Sequence, residues 1–392
     1  MSLVDELAAR ARETGRLGVD TEFMGEGRYR SLLCLVQVAV DAQDGGEARV
    51  EVLDPLEGNL DPAPLAAVLA DPDIEIVVHA GRQDVALLKR MWNTEFVNIF
   101  DTQVAAGFAG LRAQLGYEAL LGEVCGVRLR KSASFTRWDA RPLSPEQVEY
   151  AREDVLHLLQ LAASLQDRLA GLGRLEWARE ECRMLEPVTD VRDVDSVFER
   201  LPRVNSLDPA QRAVAYELAA WREVTAQEAD RPVQTILSDA GLVEVAKRRP
   251  KTMERMRQIR GINEATLHRR GKAVLEAVER GREREPIPVE GDRPAHAKPE
   301  DAVLIALGEA LVRARALESK LAYELIAAKA DLQRIALAVR DDQPEPAVRT
   351  LEGWRRELVG EELIELLRGE LTLGIGPDRR LVIHKELAAD RT

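Results

Sequence analysis

The chain has 392 residues, 45% hydrophobic and 31% charged, with a formal net charge of −13. That length suits two or three domains of roughly 100–200 residues, and the ordinary apolar share excludes disorder along the whole chain. No window supplies the roughly 18 uncharged apolar residues of a membrane helix. The N-terminal MSLVDELAARARETG lacks the apolar stretch of a signal peptide, and three cysteines without C-x-x-C spacing argue against a disulfide scaffold or a thiolate zinc site. A cytoplasmic location without a membrane partner is expected.

In chain order, Arg16–Phe23, Leu32–Val40 and Arg49–Leu53 read as strands rich in apolar and β-branched residues. Asp61–Ala70 reads as a helix with Pro62 in its first turn. A strand at Ile74–His79, a helix at Asp84–Trp92 and a short strand at Val97–Phe100 follow. From Thr102 to Glu186 the spacing is helical, broken by a loop at Val127–Pro145. This alternation predicts an α/β domain over 1–190. Residues 191–206 are expected to be a linker and 207–282 a helical domain. Residues 283–299 hold four prolines and are expected to form a second linker, and 300–392 a second helical domain with a break at Asp341–Ala347.

The charge is unevenly spread. Residues 1–205 carry 23 Lys and Arg against 35 Asp and Glu, whereas residues 206–282 carry 15 against 11. Within Lys247–Lys272 there are 10 basic and 2 acidic residues. Such an island suits a polyanion partner held by one domain, or it is simply a solvated basic face.

Three acidic clues fall in the first domain. Asp20 and Glu22 lie two apart in a strand and therefore share a face. Side by side they repel and resist desolvation, so they either reach solvent or need divalent cations with oxygen ligands. Asp84 stands at a helix start, where an acid also complements the helix dipole. Tyr150 and Asp154 are four apart on one helical face, as a functional pair or as an incidental acid beside a half-buried ring. No P-loop, G-x-G-x-x-G, H-E-x-x-H or nucleophile elbow occurs, and His79 reads as a packed residue.

Taken together, Asp20, Glu22, Asp84 and Asp154, with Tyr150 four before the last acid, resemble the DEDD exonucleases of the subgroup with Tyr in place of His. The runs VDTEF, VVHAGRQDV, FDTQVAAG and Lys131–Val155 are similar to the bacterial ribonuclease D family. The resemblance implies a ribonuclease H-like (DnaQ-like) α/β domain with a mixed central sheet. It also implies a 3′–5′ exoribonuclease that uses two divalent ions, Mg²⁺ or Mn²⁺, held by the four acids. One ion would prepare the attacking water and the other would stabilise the leaving 3′ oxygen. Tyr150 would orient the water, since an ordinary phenol with a pKa of about 10 is a poor base. Phe23 and Met24 would lie against the terminal nucleotide, although Phe23 equally suits the core. In the loop 128–138, Lys131, Phe135, Arg137 and Trp138 suit a single strand by phosphate contact and stacking, or the aromatics cover the core.

Leu207, Arg212, Arg231-Pro232, Ile236–Asp239, Pro250 and Gly261-Ile262 resemble an HRDC domain, a nucleic-acid-binding module. Lys247, Arg248, Arg249 and Lys251 would serve as its phosphate contacts. Leu325–Leu332 and Gly353–Glu357 resemble a second, degenerate HRDC domain, which would pack on the nuclease. The expectation is therefore α/β plus all-α. The expected substrate is RNA, tRNA precursors foremost, handled by a monomer without an organic cofactor. The alternatives are a DNA exonuclease of the kind associated with RecQ helicases and a non-catalytic RNA-binding protein.

Overall fold

A computed structural model describes residues 2–42, 46–112, 114–129, 137–262, 264–289 and 298–385. The first unit contains α1 (Leu3–Thr14), β1 (Arg16–Met24), β2 (Leu32–Val40), β3 (Arg49–Leu53), α2 (Ala63–Leu69), β4 (Glu75–Val78), α3 (Arg82–Trp92) and β5 (Ile99–Asp101). It continues with α4 (Thr102–Phe108), α5 (Tyr117–Cys125), α6 (Pro145–Leu156), α7 (Leu158–Gly171) and α8 (Leu175–Arg183). The strands form one mixed sheet in the order β3-β2-β1-β4-β5, in which β1–β2 and β2–β3 are antiparallel and β1–β4 and β4–β5 parallel. This is the mixed sheet that the sequence predicts. Both faces are covered: Leu17 and Val19 of β1 pack with α1, α2 and α3, while Gly18 faces Leu158 and Leu159 of α7.

The segment expected to be a linker at 191–206 is instead partly folded. It forms α9 (Val194–Glu199), and Phe198, Leu201 and Val204 are buried in the core of the next unit. Three apolar side chains at helical spacing had a core to join, which the flanking charges disguise. That unit continues with α10 (Pro209–Glu228), α11 (Val233–Ile236), α12 (Asp239–Arg248), α13 (Met253–Arg257) and α14 (Glu264–Glu283). Its long helices α10 and α14 touch closely at Gly281, where a Cβ would come within 2.4 Å of the Val214 Cα.

The last unit comprises α15 (Asp301–Ser319), α16 (Tyr323–Ile326), α17 (Lys329–Arg340), α18 (Gly353–Arg355) and α19 (Glu361–Arg368). It then departs from the all-helical expectation, because β6 (Leu371–Ile375) and β7 (Leu381–Lys385) pair as an antiparallel hairpin. LTLGI carries the period-2 pattern, LVIHK opens on three apolar residues, and Gly376, Pro377 and Asp378 between them carry the turn chemistry.

The two helical units meet the sheet unit differently. One continuous apolar core joins Phe108, Leu120, Val155 and Leu161 of the first unit to Leu311, Ile335, Trp354 and Leu363 of the last. Trp354 is 1% exposed. It stacks on Trp177 at 5.5 Å and meets Phe108 edge-on at 4.9 Å. Gly353 has φ +49°, and a Cβ there would overlap the Glu180 carboxylate that accepts from the Trp354 N–H. The middle unit touches the sheet unit around Tyr29, which packs on Ala226, Val233 and Ile236 and makes polar contacts besides. The Tyr29 hydroxyl donates to Glu223 Oε2 at 2.8 Å, and Arg28 pairs with Asp230 at 2.9 Å.

Trp354→Ala is expected to cost about 3–5 kcal/mol, the usual range for a buried aromatic. It should also expose the last unit to protease. Denaturant melts and limited proteolysis check this; parent-like stability would show that the two units do not share a core.

Candidate active site

β1 builds the site by alternation. Gly18, Asp20, Glu22 and Met24 share one face, and Leu17, Val19, Thr21 and Phe23 the other. The β1–β2 register shifts between Glu22 and Phe23: Glu22 pairs with Leu35 and Phe23 with Leu33, which leaves Cys34 as the extra residue. A bulge of this kind re-aims side chains at a strand end.

α6 carries Tyr150 and Asp154 and packs against β1, β2 and β3. Its start is set by a Ser144–Gln147 capping box with Pro145 in the first turn. Arg152 donates to the Val50 carbonyl at 2.8 Å and ties the helix to β3. Asp84 lies in the first turn of α3, 7% exposed, and accepts a hydrogen bond from the Thr21 hydroxyl. One strand thus serves both sides: its Asp20–Glu22 face carries two acids, and Thr21 on the other face holds the third.

Asp101 supports this arrangement and was not singled out from the sequence. Its carboxylate accepts from the N–H groups of Ala80 at 3.1 Å, Gly81 at 2.9 Å, Gln103 at 2.8 Å and Val104 at 3.2 Å. It therefore caps α4 and also fixes the turn from which α3 springs. The available signal was an acid before a helical run, which predicts the cap but not the second contact. Tyr117 was also missed: it is largely buried, its ring 5.5 Å from that of His79, within the field of Asp154 and Asp20. His79 is a packed residue, with Nδ1 2.9 Å from the Thr102 hydroxyl.

The electrostatics are those of an uncompensated cluster. Burial pushes Asp20 well above the usual carboxylate range, and the charges of Asp84, Asp154 and Glu22 add to it. Glu22 rises to about 8, through burial and then Asp154 and Asp84. Asp154 rises to about 7, through burial and then Glu153. Burial also raises Asp84, against the Thr21 hydrogen bond. Among the described residues no lysine or arginine forms an ion pair with any of the four. Among those residues, too, no three His, Cys, Asp or Glu side chains form a ready-made ligand set. The case for cations rests on the buried, unneutralised charge, which oxygen-preferring divalent ions suit.

The other expected site residues divide. Met24 packs beside Tyr150 and Trp138, and Phe23 is half-buried on the opposite, core-facing side of β1. Trp138 corrects the expectation of an exposed stacking platform. It is 4% exposed, its ring 5.9 Å from that of Tyr150, so it backs the tyrosine instead of offering a face to solvent. Arg141 is structural too: it pairs with Asp54 at 2.6 and 2.7 Å and donates to the Trp138 carbonyl at 2.7 Å. Arg137 is exposed and pairs with Asp139 at 3.0 Å. Lys131 and Phe135 lie outside the described residues. In the middle unit Lys247, Arg248 and Lys251 are exposed, while Arg249 is half-buried and ends α12 in the left-handed conformation.

A family model described as "3'-5' exonuclease" matches residues 2–170, and one described as "HRDC domain" matches residues 211–278. The segment 300–392, expected as a second HRDC-like domain, lies outside both spans. The chain is 35% identical over 379 residues to a ribonuclease D of Gluconacetobacter diazotrophicus, covering 94% of this chain and 92% of that one. It is 36% identical over 375 residues to that of Granulibacter bethesdensis, covering 94% and 91%. The fold is similar to the crystal structure of Escherichia coli RNase D, described as an exoribonuclease involved in structured RNA processing. The TM-score is 0.79 at 28% sequence identity, over 93% of this chain and 96% of that one.

Carboxylates raised in the folded state stabilise it only while protonated. That share is complete below their ordinary values of 3.8 and 4.5 and is lost as pH climbs through about 7 for Asp154 and about 8 for Glu22. In EDTA the melting temperature is therefore expected to fall from about pH 5 to about pH 8, and less steeply in Glu22→Gln. Parallel parent and variant curves would contradict the raised Glu22.

Proposed function

The chain belongs to the ribonuclease D family of 3′–5′ exoribonucleases, and from that premise we propose that it trims RNA from the 3′ end to nucleoside 5′-monophosphates, tRNA precursors foremost. The observation that carries the reading is the set of Asp20, Glu22, Asp84 and Asp154 beside Tyr150, Asp84 buried and the other three half-buried, none of them paired with a lysine or arginine among the described residues. These four acids would hold two divalent ions, Mg²⁺ or Mn²⁺. Such ions, when bound, supply Lewis-acid stabilisation of the charge that develops on the phosphate and the leaving 3′ oxygen.

The chain's own groups would do the rest. Burial and the charges of Asp154, Glu22 and Asp20 push the Tyr150 hydroxyl above its ordinary value of 10, so it keeps its proton at neutral pH. It can therefore hold and orient the attacking water by hydrogen bonding but cannot take a proton from it. Trp138 and Met24 pack behind the tyrosine, and Thr21 fixes Asp84. In the overall reaction the water oxygen bonds to phosphorus, the P–O3′ bond breaks, and the shortened chain regains a 3′ hydroxyl.

For the whole chain we propose a nuclease domain at 1–190, an HRDC domain at 207–282 preceded by α9, and a degenerate HRDC-like domain at 300–392. Support for the last comes from a repeated chain path. The short helices α11 and α16 each follow an extended residue, Pro232 or Ala322, with ψ 137°. Each ends in an extended residue, Leu237 or Ala327, whose N–H returns to the first residue of the helix. The long helices α10 and α15 precede them, and α12 and α17 follow. Lys247, Arg248 and Lys251 are proposed to hold RNA phosphates. A cytoplasmic monomer remains the proposed state, and the three free cysteines fit a reducing compartment.

The deciding experiment incubates the protein with Mg²⁺ and a 3′-extended tRNA beside matched single-stranded DNA. Mononucleotides released from RNA are expected. Release from DNA alone would favour the DNA exonuclease, and release from neither would leave a binding protein. Asp20→Ala and Asp154→Asn should abolish hydrolysis with circular dichroism unchanged, and full activity in either would remove the carboxylate assignment. Tyr150→Phe should slow single-turnover cleavage by about 10²-fold, in the range of catalytic positioning effects, with little change in binding. Neutralising Lys247, Arg248 and Lys251 should lower the slope of log affinity against log salt by about 2, at about 0.7 per phosphate on a single strand. An unchanged slope would clear the island of that role.

A further inference from the structure

Two cavities of about 500 and about 490 Å³ open where residues 187–201 cross from the nuclease unit toward the helical units. Both are lined by Thr189 and Arg200, so the two adjoin along one grooved surface. One end is walled by Arg30, on the β1–β2 loop, and Gln234 of α11. The other is walled by Arg82, in the first turn of the helix that carries Asp84.

The wall charges are unevenly matched. Asp190 accepts from Arg90 at 2.7 Å, Asp239 from Arg222 at 2.6 Å, and Glu181 from Arg355 at 2.7 Å. Asp193 is taken by the cap of α9, and Glu180 by the Trp354 N–H. Among the described residues Glu352 is the wall carboxylate without a cation or backbone donor, whereas Arg30, Arg82 and Arg200 all lack a carboxylate partner. The Arg30 Nε is buried with no hydrogen-bond acceptor. A buried donor left in this state is costly until an acceptor arrives.

We propose that this groove is a track for the backbone of a single RNA strand, read through its phosphates by Arg30, Arg200 and Arg82. The proposal rests on the exonuclease reading above and adds a contact surface separate from the Lys247–Lys272 island. Guanidinium forks suit phosphate oxygens, and three of them spread over two adjoining cavities suit several phosphates better than one free anion. The groove reads backbone and not base. Among the described residues its one aromatic ring, that of Tyr29, is covered by Arg30 and Arg192, whose guanidinium carbons lie 5.6 and 5.8 Å from the ring centre.

The test is the full-length Arg82→Gln/Arg200→Gln variant, both side chains being exposed. Binding of a labelled single-stranded RNA is followed by anisotropy in EDTA, with a thermal melt as the check of folding. Affinity is expected to fall about 5- to 10-fold at about 0.1 M salt, and the salt slope by about 1.4, at about 0.7 for each of two phosphates. Parent-like affinity and slope would overturn the track. So would inorganic phosphate or AMP binding to the parent and not to the variant while RNA affinity stays equal, which would make the groove a free-anion pocket. A parent that hydrolyses RNA while the variant binds as the parent does removes the track alone. A parent that neither binds nor hydrolyses RNA removes the exonuclease reading beneath it.

Discussion

Four carboxylates held together without a counter-cation dominate the physics of this protein. Like charges in a low-dielectric site repel, and burial penalises each one. The fold opposes that repulsion by fixing each acid from a different direction. Asp20 and Glu22 are set by the pleat of β1 and by the bulge that follows. Asp84 is held by the Thr21 hydroxyl and by the Asp101 carboxylate that organises the turn before α3. Asp154 is held by a helix capped at Ser144 and tied to β3 through Arg152. The sheet order follows the same need, because β1 lies at its centre, antiparallel to β2 on one side and parallel to β4 on the other.

Much of this was legible in the sequence where the information is local. The strands β2 and β3 fall on the predicted residues, since eight of nine positions in β2 are apolar and Val50, Val52 and Leu53 carry β3. The spacing of Asp20 and Glu22, and of Tyr150 and Asp154, already puts each pair on a common face. What the sequence could not separate was an aromatic that stacks on a ligand from one that fills a core. Trp138 follows a basic loop, yet the structure buries it under Tyr150. Asp101 went unremarked because its second role depends on a turn 20 residues away in sequence. The hairpin β6–β7 was hidden by its acidic and basic neighbours, which suit a helix as well as a strand edge.

The two helical units show how attachment can differ within one chain. The last unit shares an apolar core with the nuclease, so separating them would expose Trp354, Phe108 and their neighbours to water. The middle unit meets the sheet unit around Tyr29, which packs on the apolar cluster of Ala226, Val233 and Ile236, and Arg192 and Tyr29 both reach Glu223. The Arg28–Asp230 pair is exposed and contributes little, whereas Glu223 is buried, where losing its partners would leave an unpaired charge.

That asymmetry changes the meaning of the net charge of −13. A uniformly acidic protein would repel RNA, but here four of the acids are gathered at the site, where divalent ions suit them, and 10 basic residues against 2 acidic ones fall within Lys247–Lys272. Along the junction the wall carboxylates are largely engaged by cations or helix N–H groups, while three arginines stay unmatched. The local field, and not the total, governs where a polyanion settles. Tyr29 lies five residues beyond the end of β1, on the loop that joins β1 to β2, and its hydroxyl bonds to the HRDC unit. The contact that joins the two units therefore sits on the segment by which the chain leaves the Asp20–Glu22 strand.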